Sequence, residues 1–103
     1  MLDQRQLFRF ASGGVANGNS DAIVVDTLTS LTLQISEANG GTFDAQVTLW
    51  GRVHESLPFE KIQEYTASTL EVRDEKLQAV KLIITSYVSG EIVAGIAGIL
   101  NTH

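Results

Sequence analysis

Few side chains in this 103-residue sequence are of a type that does chemistry, and their spacing assembles none of them into a site. The two histidines are His54 and His103. A transition-metal centre needs several nitrogen, sulfur or carboxylate ligands at short regular spacing. His54 is followed by Glu55 without a second histidine or an HExxH pattern, and His103 ends the sequence, so both read as surface residues. Cysteine is absent, which removes disulfides and thiolate ligands. Glu60, Glu64, Glu71, Asp74 and Glu75 are scattered over expected turns and wet faces and form no DxDxDG loop. With this many acids a carboxylate pair for hydrolysis can be drawn almost anywhere, so they read as solvated faces. The serines show no GxSxG elbow, and the glycines show neither a P-loop nor a GxGxxG run. The residue pattern therefore predicts a protein that is not an enzyme and carries no metal or cofactor.

One residue stands apart. Trp50 shares the polar side of its segment with Gln46, Thr48 and Arg52. It has three readings: a cap on the core under a loop or the N-terminal segment, an anchor in a protein interface, where Trp and Arg are enriched, or a platform for a sugar ring.

Charge narrows the partners. Seven basic against twelve acidic residues give a net charge of −5, with no Lys/Arg cluster, which argues against nucleic acid. The start, MLDQRQLFRFASGG, lacks the apolar stretch of a signal peptide, which predicts synthesis and solubility in the cytoplasm. The most apolar run, residues 92–100, is far short of the roughly 20 residues that cross a bilayer. No membrane partner is expected.

The elements that must position these residues have a period of two. Leu31, Leu33 and Ile35 alternate with Thr32, Gln34 and Ser36, the pattern of a strand with one buried face. Asn39-Gly40 follows as a hairpin signal, and residues 42–53 alternate again, so these two strands are expected to pair. Residues 59–66 and 69–73 read as strands, with a short helix opened by Pro58 as the rival for the first. Residues 80–88 and 92–100, joined by Ser89-Gly90, read as a last hairpin with both faces apolar: Val80, Leu82 and Ile84 on one, Ile83 and Tyr87 on the other. A strand in a lone sandwich usually has a wet face, so a second surface is expected to cover this one. Gly95 and Gly98 are read as points where strands or chains approach closely.

The first twenty residues differ in kind. Leu7, Phe8 and Phe10 form an apolar cluster tethered by Ser12-Gly13-Gly14 and Asn17-Gly18-Asn19-Ser20. This predicts an all-β chain, an antiparallel β-sandwich or jelly-roll-like domain over residues 21–103, with an extended N-terminal arm over residues 1–20. The arm is expected to be dispensable for folding and to serve attachment.

Residues 28–98 also resemble a class of small tailed-phage virion proteins with a β-sandwich fold. The resemblance rests on Gly41-Thr42-Phe43, on Val47-Thr48-Leu49-Trp50-Gly51, and on the cadence Val80-Lys81-Leu82-Ile83-Ile84-Thr85-Ser86-Tyr87-Val88-Ser89-Gly90-Glu91-Ile92. Where such proteins carry an Asp-Gly turn and a Trp, this chain has His54-Glu55-Ser56-Leu57-Pro58-Phe59. The resemblance implies a structural role in a virion assembled in the host cytoplasm. A capsid-decorating or head/tail accessory protein fits, binding neighbouring capsid or tail subunits and forming a homo-oligomer. The expected contact residues are Leu7, Phe8, Phe10, Trp50, Arg52, Ile83, Tyr87 and Ile96. The alternative is a carbohydrate-binding β-sandwich module that uses Trp50.

Overall fold

A computed structural model describes residues 3–100. Every regular element in it is a strand: β1 (Asp3–Leu7), β2 (Gly18–Asn19), β3 (Ile23–Val24), β4 (Leu28–Glu37), β5 (Asp44–Arg52), β6 (Glu60–Tyr65), β7 (Thr69–Arg73), β8 (Ala79–Ser89) and β9 (Ile92–Leu100). Residues 59–66 thus follow the strand reading. The strands form two antiparallel sheets, one in the order β1-β9-β4-β7 and one in the order β2-β8-β5-β6, with β3 also on β8. From β4 onward the chain changes sheet after β4, β6, β7 and β8, while β5 and β6 stay side by side in one sheet, so the two sheets pack as a sandwich. Alternation along each strand fills the space between them: Leu31, Leu33 and Ile35 from β4 and Ile92, Ala94 and Ile96 from β9 meet Val47 and Leu49 from β5 and Val80, Leu82 and Ile84 from β8.

Two expected hairpins are not hairpins. β4 pairs with β7 and β9 but not with β5, and β8 pairs with β5 but not with β9. The turns at Asn39-Gly40 and Ser89-Gly90 are arches that carry the chain from one sheet to the other. Period-two alternation fixes which side chains face inward, and it is the same for an arch as for a hairpin. What holds the arches is the Glu37 carboxylate, which accepts from the backbone N–H of Asn39 (2.9 Å) and Gly41 (3.1 Å) in one arch and of Glu91 (3.1 Å) in the other. These amides, that of Glu91 first and then Asn39, hold the Glu37 carboxyl below its ordinary range. Of the two apolar faces expected of the last strand pair, the inner one (Val80, Leu82 and Ile84 from β8, Ile92, Ala94 and Ile96 from β9) meets in the common core, while Ile83 stays on the outer face.

Residues 3–20 run along the sandwich and pair with both of its sheets, and are not an arm outside it. β1 is the edge strand of the four-stranded sheet, with Asp3 opposite Ile99 and Leu7 opposite Gly95. The ladder continues as the Phe8 N–H donates to the Ala94 carbonyl at 2.9 Å, and the Phe8 ring enters the core. The chain then crosses to the other sheet, where β2 pairs with β8. Gly14 makes this crossing possible. Its φ is +79°, its carbonyl accepts from the Ile92 N–H at 2.8 Å, and a Cβ there would stand 2.1 Å from the Ile92 carbonyl oxygen. Gly13 and Gly14, which read as part of a flexible tether, take positive φ of 72° and 79° in a packed crossover.

Candidate functional site

Three places in the sandwich gather side chains beyond the needs of the core. The first is the edge where β6 and β7 pass from one sheet to the other. β7 has an inverted pattern: Leu70 and Val72 point to solvent, while Glu71 and Arg73 point towards the sandwich interior. The Arg73 guanidinium donates to Gln63 (2.8 Å), the Tyr65 hydroxyl (2.9 Å), Glu71 (2.6 Å) and Glu75 (2.6 Å). The Tyr65 hydroxyl donates to Glu71. Burial, and then the hydrogen bond to Glu71, push the Tyr65 hydroxyl up to about 12. Burial opposes the charge on Arg73, but its bonds to Glu75 and Glu71 outweigh this and raise it further. The hydrogen bond from Tyr65, supported by Arg73, holds Glu71 below its usual range. Glu71 and Glu75 are therefore members of a clasp joining the two sheets, rather than solvated decoration. No buried side-chain polar atom is left without a hydrogen-bond partner among the described residues.

The second place is the outer face of the four-stranded sheet. β9 contributes Val93, Gly95 and Ala97, and β1 contributes Arg5 and Leu7. β4 contributes Thr32, Gln34 and Ser36, and β7 contributes Leu70. Together they line an open groove of about 450 Å³. Leu7, Leu70 and Val72 are 73%, 69% and 66% exposed, far more than residues of this type need be in a closed fold. Gly95 forms the floor between β1 and β4; a Cβ there would meet the Gln6 carbonyl and the Leu7 side chain at 3.2 and 3.3 Å.

The third place is the outer face of the five-stranded sheet. Trp50 on β5 lies opposite Lys61 of β6 and Lys81 of β8. The Trp50 Nε1 donates to Thr48 Oγ1 at 2.9 Å, and Thr48 Oγ1 donates to the Ile83 carbonyl at 3.2 Å. Because Thr48 is two residues back on the same face, this bond ties the edge of the indole ring down to the sheet, and Thr48 is buried although it faces outward. Beside the ring a polar chain crosses three strands. Thr85 donates to Gln46 at 3.4 Å, Gln46 to Glu64 at 2.9 Å, and Lys61 to Glu64 at 2.7 Å. The hydrogen bond and charge of Lys61 hold Glu64 below the usual carboxylate range. Phe59, just before β6, sits under two cations: Arg52 Cζ is 4.5 Å and Lys81 Nζ 4.7 Å from its ring centre. Arg52 Nε also donates to Gln78 at 2.8 Å.

The eight expected contact residues are thus divided. Leu7 is on the groove of the four-stranded sheet, while Trp50, Arg52 and Ile83 are on the outer face of the other. Phe8 and Ile96 are core residues, 5% exposed each, and are unavailable to a partner. Phe10 and Tyr87 are half-buried against the core, and Tyr87 donates its hydroxyl to the Gly90 carbonyl at 2.5 Å. His54 is exposed and accepts from the Ser56 N–H through Nδ1 at 3.0 Å; His103 lies outside the described residues. Among the described residues no group of three His, Cys, Asp or Glu side chains is placed to hold a metal ion. Sequence reasoning missed Leu70 and Val72, because alternation shows two faces without saying which is inner. It also missed Phe59, whose contacts come from strands distant in sequence.

No protein-family model matches the sequence, and no curated protein matches it. Among solved structures, the fold is similar to that of the SPBc2 prophage-derived protein YomS, at 21% identity and TM-score 0.56, over 94% of this chain and 95% of that one. It is also similar to part of a Ruminococcus gnavus GH29 fucosidase, at 18% identity and TM-score 0.55, over 88% of this chain and 19% of that one. A more distant likeness, TM-score 0.47 at 10% identity, is to a family 29 carbohydrate-binding module, over 96% and 91% of the two chains. At these identities the shared property is the fold.

Proposed function

We propose that this protein is a non-enzymatic structural component of a tailed-phage particle, associating with neighbouring subunits through the outer face of its four-stranded sheet. The observation that carries the reading is the inversion of β7. A one-residue change of register would bury Leu70 and Val72 and expose Glu71 and Arg73. The chain does the reverse, and sets Leu70 across the groove from Leu7 and Val93, with Gly95 and Ala97 as floor and Thr32, Gln34 and Ser36 of β4 between. Large aliphatic side chains left exposed on the rims of a groove are the mark of a protein contact. The likeness to a prophage-derived protein over nearly the whole of both chains is in keeping with a phage origin. The resemblance of residues 28–98 to small virion proteins supports a structural role in the particle, with which a capsid-decorating or head/tail accessory position is in keeping. Copies of the same chain are among the neighbours such a face would meet.

The test is the double variant Leu70→Glu/Val72→Glu, examined by light scattering and by co-sedimentation with phage particles. Both side chains are exposed, so the melting temperature should stay within experimental error of the wild type. Association, whether with itself or with particles, should be lost. A wild-type protein that remains monomeric at high concentration and binds no particle component would refute the reading.

A further inference from the structure

We propose that the outer face of the five-stranded sheet binds an acidic saccharide, with one sugar ring stacked on Trp50 and its anionic group held by Lys81. The proposal concerns the sheet opposite to the association face and does not depend on that reading.

The bond from Trp50 Nε1 to Thr48, itself bonded to the Ile83 carbonyl, ties the edge of the indole ring down to the sheet. The indole is therefore oriented before any ligand arrives, which removes an ordering cost from binding. Trp50 is half-buried, so the ring is supported and still accessible.

The groups around it supply what a sugar requires. Hydroxyls are donors and acceptors at once, and are recognised by side chains that offer both roles in fixed positions. Gln46 and Thr85 offer both, Glu64 accepts, and Lys61 donates. Their mutual bonds already hold them in place on three adjacent strands. Strands about 4.8 Å apart set Lys61, Trp50 and Lys81 in one row, so a ring on Trp50 has an ammonium on either side. The face is an open platform, the shape that admits a chain of rings.

Charge selects the kind of sugar. The protein carries a net charge of −5, yet three of its seven cations, Arg52, Lys61 and Lys81, stand on this face around Trp50. Only Glu64 opposes them beside the ring, and Lys61 already neutralises it. Phe59 keeps Arg52 and Lys81 over its ring and out of internal ion pairs. Local excess positive charge on an acidic protein is complementary to an anionic ligand. A nucleic acid is disfavoured by the overall charge.

Trp50 is the single tryptophan of the chain, so its emission reports on this face alone. Tetragalacturonate and a heparin-derived tetrasaccharide serve as the carboxylate and sulfate probes, and cellotetraose as the neutral one. At least one acidic probe should shift Trp50 emission saturably, with an affinity that falls as salt is raised. By calorimetry, Trp50→Ala and Lys81→Gln should each weaken binding by roughly tenfold or more, while Lys81→Gln keeps the wild-type melting temperature. The proposal is overturned if neither acidic probe binds, or if cellotetraose binds as well. It is equally overturned if acidic probes bind without changing Trp50 emission and survive Trp50→Ala, the behaviour of a diffuse ionic contact.

Discussion

Tyr65 shows how much one side chain's surroundings dictate. Its ring closes the core and is 6% exposed, but its hydroxyl must end in the clasp between Glu71 and Arg73. Burial disfavours the phenolate first, and ionising it would also remove the proton it donates to Glu71 and place two negative oxygens together, so its pKa rises from 10 to about 12. The folded state therefore holds the phenolic proton more tightly than the unfolded chain does. The stabilisation is complete below pH 10 and is lost as the pH rises from 10 towards 12. A shift of this size corresponds to stability on the order of 2 kcal/mol. Urea unfolding followed between pH 9 and 12 should show a loss of that order in the wild type. Tyr65→Phe should start lower, by about 1 kcal/mol for the lost hydrogen bond, and should lack the Tyr65 share of the alkaline decline. Equal alkaline slopes for the two proteins would mean that the clasp does not hold that proton.

At the scale of the strand, the boundary between arm and sandwich is where the structure departs furthest from expectation. Leu7 and Phe8 are adjacent and similar in sequence, yet one is 73% and the other 5% exposed, because β1 is an edge strand whose last inward step enters the core. Phe8→Ala should cost about 3–5 kcal/mol, as for any large side chain removed from a core, and Leu7→Ala within about 0.5 kcal/mol. Deleting residues 1–14 removes β1, Phe8 and the carbonyl that caps Ile92, and should abolish cooperative thermal unfolding. A truncated protein that melts as sharply as the full chain would restore the idea of an independent arm. What was legible was the alternation of Leu31, Leu33 and Ile35 and of Val80, Leu82 and Ile84, since burial of one face imposes it locally. The partners were not legible. Whether Asn39-Gly40 closes a hairpin or an arch depends on Glu37 reaching Glu91, fifty-four residues away, and no local pattern carries that. Of the candidate surfaces, Trp50 was visible as an aromatic on a polar face. Its row with Lys61 and Lys81 required the strand order.

The whole molecule sets these surfaces back to back. Its thinnest dimension is 20 Å, and two sheets about 10 Å apart separate the groove of Leu7, Leu70 and Val93 from the platform of Trp50. The faces share no residue, and changes on separate sites more than about 7–10 Å apart add without coupling. Leu70→Glu/Val72→Glu should then leave Trp50 emission and the affinity for a soluble acidic tetrasaccharide unchanged, while Trp50→Ala should leave association intact. Assembly nevertheless matters for a surface bearing many saccharides. Subunits fixed through one sheet all present the other outward, and a weak site repeated on a rigid array gains avidity by about two to four orders of magnitude without any new contact. Surface plasmon resonance over immobilised acidic polysaccharide should therefore show much slower dissociation for assembled wild-type protein than for the monomeric double variant. Calorimetry with the tetrasaccharide should not distinguish them. If the tetrasaccharide affinity itself changed on assembly, the two faces would be coupled through the core, and the separation of attachment from recognition would fail.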